Sequence, residues 1–333
     1  MVVYDTIVIG GGPAAMSAVL YLSRFSRKVA WIFGHSLGGQ IQNTESVDNY
    51  LGFNDGLAPL LIEQFAEQTE ELDGVEKVFG FAKDVKKDRS TELFTVQTDM
   101  GEIYNAKTVL VATGAEPRKL EVPGEEDFAG RGVSYCAICD APLFKGKTVA
   151  IVGGGQTAFE DAQILAKQAE KVILIHRRSE FRATDREVEL VKAVPNIEFI
   201  LDARITEIKG NTKVEKIVVE DTNGIIELNV DGVFVAIGQV PRTEFLENLN
   251  EEYIQSESEP LLTKIFPLLK DGYIYTCENE SMVIDGLFAA GDVVLHNHKQ
   301  IAVAVGDGAS AAININKYIQ EKGEKSFDYS FLF

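Results

Sequence analysis

Residues 5–15 of the chain read DTIVIGGGPAA, and residues 148–158 read TVAIVGGGQTA. Each stretch is a short apolar run that ends at three glycines, which is typical of a buried parallel strand entering a tight turn. An Ala- and Leu-rich segment with a helical pattern follows each turn, and a second apolar run follows at 29–33 and at 171–175. The chain therefore contains the strand–turn–helix–strand motif of nucleotide-binding folds twice, which predicts two bound nucleotides.

The glycine turns suit a nucleotide for physical reasons. In G-x-G-x-x-G/A the first glycine makes the tight turn, the second lets the backbone approach a pyrophosphate, and the small third residue lets helix and strand pack closely. The helix N-terminus adds free N–H groups and the positive end of its dipole. The pattern is met by Gly10, Gly12 and Ala15 in the first motif and by Gly153, Gly155 and Ala158 in the second.

The two motifs differ where the adenosine ribose is recognised. A motif that binds NAD places an acid about 20 residues after the first glycine, at the end of the second strand. The second motif instead reads HRR at 176–178, with Arg182 and Arg186 close by. Arginine holds a 2′-phosphate through paired hydrogen bonds, so this pattern favours NADPH over NADH, the alternative being a solvated basic loop. The first motif has Gly34 at this position and lacks the usual ribose carboxylate.

Cys136 and Cys139 form a C-x-x-C motif that is followed directly by Asp140 and precedes the second glycine turn. Such a pair forms a reversible disulfide and often has lowered thiol pKa values. Asp140 is suitably placed to carry the proton when a thiolate leaves. A pair of buried free thiols is the alternative. A zinc site is not expected, because the chain has only one further cysteine, Cys277, and no second C-x-x-C.

Length and composition restrict the class of protein. The 333 residues are enough for two domains, and 45% of them are hydrophobic, as in globular proteins. No apolar run reaches the length of a membrane span, and the N-terminus lacks the features of a signal peptide, so a cytoplasmic protein is expected. The net charge of −19 disfavours binding to nucleic acid.

Taken in order, the motifs resemble those of the low-molecular-weight, bacterial and archaeal-type thioredoxin reductases. The C-x-x-C-D between ATG and the second glycine turn is the most specific of them. The larger glutathione-reductase-like relatives carry a C-x4-C in the first domain, whereas this chain has no cysteine before Cys136. The shared motifs are GGGPAA at 10–15, GGQ at 38–40, ATG at 112–114, CAICD at 136–140, GGGQTA at 153–158, HRRSEFRA at 176–183 and AAGD at 289–292.

The resemblance implies an α/β fold with two Rossmann-like three-layer domains. The FAD-binding domain would be discontinuous, with its first part at 1–117 and its second part at 245–333. The NADPH-binding domain with the C-x-x-C would be inserted between them at 118–244. The C-terminal elements are too few to form a domain alone, which agrees with this division. The Pro- and Gly-rich stretches at 115–132 and 238–241 are predicted to be linkers.

The resemblance also implies residue roles in an NADPH-dependent reduction of thioredoxin, or of a thioredoxin-like protein, by a homodimer. Cys139 would face the flavin, Cys136 would attack the partner's disulfide, and Asp140 would be the acid–base residue. FAD is expected at Gly10, Gly12, Pro13, Ala14, Gly39, Gln40, Asn49, Thr113, Gly114, Gly291, Asp292, Lys299, Gln300 and Ile301. NADPH is expected at Gly153, Gly155, Gln156, Thr157, His176, Arg177, Arg178 and Arg182.

Some residues depart from the family pattern, and two rival functions remain. Gln156 stands where relatives often have Asp or Asn, Lys299 stands where Arg is common, and the stretch 250–271 is longer than usual.

One rival function is a flavin NAD(P)H oxidoreductase with another acceptor, such as ferredoxin, quinone or oxygen, but relatives of that kind lack the C-x-x-C. The other is a non-enzymatic protein that senses nucleotides.

Overall fold

The computed structural model describes residues 2–44, 46–54, 56–254, 268–277, 279–281, 284–295 and 298–324. The described helices and strands belong to two compact units. Unit 1 comprises residues 1–42, 50–115 and 241–333, and unit 2 comprises residues 43–49 and 116–240. Most of the stretch 250–271, the aromatic tail 327–333 and His296 lie outside the described residues.

Seven helices and 21 strands lie in the described part of the chain. None of these helices is both long enough and apolar enough to cross a membrane. The helices are α1 (Pro13–Arg24), α2 (Ala58–Gln68), α3 (Ala137–Asp140), α4 (Gln156–Ala166), α5 (Asp185–Lys192), α6 (Glu247–Ile254) and α7 (Ile301–Glu324). The strands are β1 (Val3–Ile9), β2 (Val29–Ile32), β3 (Val75–Val78), β4 (Ala82–Lys87), β5 (Phe94–Thr98), β6 (Ile103–Val111), β7 (Ala115–Pro117), β8 (Val133–Ser134), β9 (Thr148–Val152), β10 (Lys171–Ile175), β11 (Ile197–Ile200), β12 (Arg204–Gly210), β13 (Val214–Asp221), β14 (Gly224–Asn229), β15 (Gly232–Val235), β16 (Gln239–Pro241), β17 (Leu269–Lys270), β18 (Tyr273–Ile274), β19 (Thr276–Cys277), β20 (Glu280–Ser281) and β21 (Leu287–Ala289).

Unit 1 is built on a nine-stranded sheet of order β19-β20-β21-β6-β1-β2-β3, which β4 and β5 join beside β6. Strands β21, β6, β1, β2 and β3 run parallel. Side chains alternate across β1, so that Ile7 and Ile9 enter one core cluster and Val8 enters the other. The Val8 face packs on α1 and α7, and the opposite face is covered by the antiparallel strands β4 and β5. The result is a three-layer arrangement.

Unit 2 repeats this arrangement on a smaller scale. Its five-stranded parallel sheet has the order β11-β10-β9-β15-β8. One face of this sheet packs against the antiparallel strands β12 and β13 through residues such as Ile208 and Ile217. The other face packs against α4 through Phe159 and Leu165. The predicted fold class, α/β with two three-layer Rossmann-like domains of which the first is discontinuous, is therefore confirmed.

The two nucleotide-binding motifs are related by a constant offset. The strand pairs at the two turns are Ile9 opposite Ile32 and Val152 opposite Ile175. The differences 152 − 9 and 175 − 32 are both 143. The same offset places Gly34 of unit 1 at the position that Arg177 occupies in unit 2, so that the ribose-recognition positions correspond structurally as well as in sequence.

The segments expected to be irregular linkers contain paired strands. Strands β7 and β16 form a two-stranded sheet. Beside this sheet, the N–H of Arg118 donates to the carbonyl of Gly238 at 2.9 Å. The sequence prediction was incomplete here, because local composition does not reveal hydrogen bonding between segments that are distant in sequence.

Candidate active site

The two predicted redox cysteines are bonded to each other. Cys136 and Cys139 form a disulfide with a Cα–Cα distance of 5.3 Å. Cys136 directly precedes α3, and its Sγ accepts a hydrogen bond of 3.2 Å from the backbone N–H of Cys139. A backbone donor at this sulfur favours negative charge on it.

Asp140 is connected to this turn by a serine that sequence reasoning missed. Ser134 is buried, and its hydroxyl donates to Oδ2 of Asp140 at 2.6 Å. The same hydroxyl accepts a hydrogen bond of 3.1 Å from the N–H of Cys136. A serine two residues before a C-x-x-C belongs to no chemical motif, so only its position in β8 reveals its role.

The carboxyl group of Asp140 has an altered proton affinity. Burial raises the pKa of this carboxyl above its ordinary value, and the hydrogen bond from Ser134 opposes that rise. The negative charge of Asp48, which also belongs to unit 2, raises the pKa further. A carboxyl that retains its proton at higher pH than usual is suited to donate that proton to a thiolate.

The turn that carries the cysteines rests on α4. Ala137 and Ala141 belong to the same core cluster as Phe159 and Ala162. Helix α4 begins directly at the second glycine turn, with Gly155 as its N-cap. The turn that carries the disulfide thus packs against the same helix whose N-terminus forms part of the predicted NADPH site.

The second glycine turn leaves one position open. A β-carbon on Gly153 would lie 2.5 Å from the carbonyl oxygen of Ala236, and one on Gly154 would lie 2.2 Å from Cε1 of His176. A β-carbon on Gly155, in contrast, would have no described atom within 4 Å. Gly155 has no side chain with which to cap α4, and the first turn of that helix contains no acid. This open N-terminus fits a pyrophosphate.

His176 covers the glycine turn and does not project into solvent. It is 8% exposed and stacks on Phe181 with ring centroids 5.6 Å apart. Its Nε2 donates to the carbonyl of Glu180 at 3.1 Å. Burial lowers the pKa of the imidazole, and the charges of the nearby arginines lower it further. The structure therefore gives His176 a packing role at the turn, and Phe181 is a partner that the motif alone did not identify.

The predicted phosphate-binding arginines lie close to His176, which covers this turn. Arg177 and Arg178 are exposed and directly follow His176, and the N–H of Arg182 donates to the carbonyl of Gly154 at 2.7 Å. Arg177 also lines a surface cavity with Asp202 and Arg204. Gln156 and Thr157 are exposed in the first turn of α4, where the amide of Gln156 donates to Glu160 at 2.9 Å.

The first glycine turn is lined by small residues. A β-carbon on Gly10 would lie 2.2 Å from the carbonyl oxygen of Ala112, which requires glycine there. A β-carbon on Gly39 would lie 3.1 Å from Cα of Gly12, and one on Gly291 would lie 2.9 Å from Cβ of Ala14. Pro13 opens α1, which has no side-chain cap at its N-terminus and no acid in its first turn. These positions form a narrow cradle that fits a dinucleotide pyrophosphate.

The other predicted FAD residues also belong to unit 1, with one exception. The amide of Gln40 donates to the carbonyl of Ala115, and the hydroxyl of Thr113 donates to the carbonyl of Arg242 at 2.6 Å. The N–H of Arg242 also donates to the carbonyl of Gly114 at 3.1 Å. The exception is Asn49, whose segment is grouped with unit 2.

Lys299 holds the loop that follows Gly291 and Asp292. Its ammonium group donates to the carbonyls of Asp292 at 2.6 Å and Val294 at 3.0 Å, and it lies 4.6 Å from the ring centroid of Tyr273. Burial lowers the pKa of this lysine to about 8. Gln300 donates to the carbonyl of Lys299 at 2.9 Å, and Ile301 then begins α7.

Comparison with known proteins agrees with this geometry. The family model described as pyridine nucleotide-disulphide oxidoreductase matches residues 4–308. A thioredoxin reductase of Peptoclostridium acidaminophilum is 38% identical over 97% of this chain and 99% of its own length. One of Bacillus subtilis is 37% identical over 97% and 96%. The solved thioredoxin reductase of Streptococcus pyogenes MGAS5005 is 36% identical, covers 96% of this chain and 99% of its own, and has a TM-score of 0.84.

Proposed function

The chain belongs to the pyridine nucleotide-disulphide oxidoreductase family, among its low-molecular-weight thioredoxin reductases, and on this premise we propose that it uses NADPH to reduce the disulfide of thioredoxin. The observation that carries the proposal is the bonded Cys136–Cys139 pair beside the Ser134–Asp140 hydrogen bond. A flavin oxidoreductase that used another acceptor would not need this arrangement. A cytoplasmic homodimer remains our prediction for its location and assembly.

We assign the two nucleotides to different turns. FAD would lie at the cradle of Gly10, Gly12, Gly39 and Gly291, and NADPH would lie at Gly155 with the arginines that follow β10. When bound, FAD supplies the means of taking a hydride from NADPH and delivering two electrons to a disulfide. The protein positions the reactants and handles the protons.

The disulfide step balances with the groups present. Two electrons break the Cys136–Cys139 bond, after which Asp140 protonates the sulfur of Cys139 and Cys136 remains a thiolate. Cys136, which receives the N–H of Cys139, then attacks the disulfide of thioredoxin as a thiolate and forms a mixed disulfide. Cys139 attacks that bond, which releases reduced thioredoxin and restores the original pair. Cys139 returns its proton to Asp140 when it attacks in turn, and the two sulfurs released from thioredoxin take up the proton of the hydride and one proton from solvent.

Anaerobic reduction followed by turnover with thioredoxin tests the proposal. NADPH should bleach the flavin of the purified chain, and thioredoxin should then be reduced catalytically. Both Cys136→Ser and Cys139→Ser should abolish turnover, whereas Cys277→Ser, at the exposed free cysteine, should leave it unchanged. Thioredoxin reduction that survived in Cys139→Ser, or a chain that bound no flavin, would contradict the proposed function.

A further inference from the structure

The ribose-recognition position of unit 1 is closed to a carboxylate. Gly34 corresponds to Arg177 of unit 2 by the offset of 143 residues. Its φ of +82° belongs to the left-handed region that favours glycine. A β-carbon on Gly34 would also lie 3.1 Å from Cε1 of Phe81. An acid at this position would therefore be strained and would meet an aromatic ring.

The ring that lies beside Gly34 is held by its own backbone. Gly34 and Gly80 exchange two backbone hydrogen bonds, of 3.0 and 3.2 Å. The N–H of Phe81 donates to Oδ1 of Asp99 at 2.9 Å, and the N–H of Asp99 donates to the carbonyl of Phe81 at 2.9 Å. These hydrogen bonds hold the backbone of Phe81 beside Gly34, which follows the end of β2.

A second ring completes an exposed aromatic pair at this strand end. His35 follows Gly34 directly and meets Phe81 edge to face, with centroids 4.9 Å apart and an interplanar angle of 89°. Both rings remain accessible, Phe81 with 44% of its surface exposed. Two accessible rings in contact at a strand end offer a surface on which a nucleotide base can stack.

We propose that His35 and Phe81 bind the adenine of FAD by ring contact, in place of a carboxylate that binds the ribose hydroxyls. The proposal rests on the function argued above, because it assumes that unit 1 binds FAD. In a Rossmann motif the pyrophosphate lies at the glycine turn and the adenosine extends toward the end of the second strand. In unit 1 the loop that follows β2 lies against the glycine turn. A β-carbon on Gly11 would lie 2.5 Å from the carbonyl oxygen of Phe33 and 2.9 Å from that of Ser36.

This arrangement predicts which part of the FAD adenosine contributes most to binding affinity. Stacking against an aromatic side chain depends on the base and not on the sugar hydroxyls. Adenine should therefore contribute strongly to FAD affinity, and the 2′- and 3′-hydroxyls of its ribose should contribute little. A motif with an acid at the position of Gly34 would show the opposite order.

Reconstitution of the full-length apoprotein tests the proposal. Three probes are used: FAD, an FAD analogue whose adenosine lacks the 2′- and 3′-hydroxyls (dideoxy-FAD), and FMN, which lacks the adenosine. Binding is followed by the change in flavin fluorescence. The parent chain should bind dideoxy-FAD within about threefold of FAD. Phe81→Leu should weaken FAD binding about tenfold or more, as expected for loss of base stacking, without weakening FMN binding.

Two further variants separate the ring contact from a general disturbance of unit 1. Phe81→Tyr keeps the ring and should retain FAD affinity. Phe25→Leu is a matched control, because Phe25 is 36% exposed in the same unit and follows the C-terminal end of α1, at the opposite end from the glycine turn. If Phe81→Leu did not fold, His35→Leu should show the same selective loss of FAD affinity.

The possible failures are distinguishable. If FAD bound and the parent discriminated more than about tenfold against dideoxy-FAD, the ribose would be the recognised group and the proposal would be wrong. It would also be wrong if the His35 and Phe81 variants bound FAD as tightly as the parent. A parent chain that bound none of the three flavins would overturn the proposed function itself.

Discussion

The hydroxyl of Ser134 donates a 2.6 Å hydrogen bond to Oδ2 of Asp140 while it accepts the N–H of Cys136. Because the bond to Asp140 favours the carboxylate form, Ser134 limits the rise in pKa that burial imposes on this acid. The serine therefore controls when the proton donor beside the disulfide is charged.

Replacement of Ser134 by alanine should raise the pKa of Asp140 further. Asp140 then remains protonated to higher pH, so the alkaline limb of the pH–rate profile for disulfide reduction should move upward. Ser134→Thr keeps a hydroxyl and should restore the parent profile. An identical alkaline limb in the parent and in Ser134→Ala would mean that Asp140 does not set it. The measurement is the single-turnover rate of thioredoxin reduction between pH 6 and 9.

The glycines at 154 and 155 should respond oppositely to alanine. Gly155→Ala should fold normally, because the added methyl group meets no described atom, but it should raise the KM for NADPH about tenfold or more by obstructing the pyrophosphate. Gly154→Ala should lower the melting temperature, because its methyl group would overlap the ring of His176. Thermal melts and steady-state kinetics of both variants separate the two effects. A Gly155→Ala enzyme with unchanged NADPH kinetics would contradict the assigned phosphate site.

The arginines after β10 should determine the choice of nicotinamide nucleotide. Hydrogen bonds to charged groups contribute about 1.5–3 kcal/mol, so Arg177→Ala with Arg178→Ala should raise the KM for NADPH tenfold or more. The KM for NADH, which lacks the 2′-phosphate, should change less than about twofold. Arg131→Ala is a suitable control, since Arg131 is exposed in the same unit and lies outside the basic stretch 176–186. Equal losses with both nucleotides would indicate general damage to the site.

Asp161 on α4 should make the stability of the protein depend on pH. Burial, together with the negative charge of Glu160, raises the pKa of its carboxyl to about 7. Because the folded state then holds a proton that the unfolded state has lost, the contribution of Asp161 to stability should fall as the pH rises from about 4 to about 7. Above that range the folded protein carries a buried charge.

Asp161→Asn should therefore stabilise the chain at pH 8, by on the order of 2–4 kcal/mol at most, and by much less at pH 5. Calorimetry of the FAD-loaded protein at both pH values measures the difference. Asp127→Asn, at an exposed carboxylate of unit 2, should change the melting temperature little at either pH. A gain from Asp161→Asn that was the same at pH 5 and pH 8 would show that the carboxyl does not titrate in this range.

Local sequence patterns predicted the parts of the fold that depend on neighbours along the chain. The strands at 148–152 and 171–175 were predicted with the bounds that the structure has, because a short apolar run is a local signal. The prediction of a bonded Cys136–Cys139 pair was also confirmed, since two residues separated by two others are already close in space.

The sequence alone determined the two glycine turns, the redox pair and the basic strand end, because each is a contiguous pattern with a chemical meaning. Only the tertiary structure decided which side chains from distant segments contact the residues of these patterns. Ser134 meets Asp140, His176 covers Gly154, and Phe81 stands at Gly34 because separate turns and strands bring them together. Burial, which raises or lowers the pKa values at the site, likewise depends on the packing of distant segments.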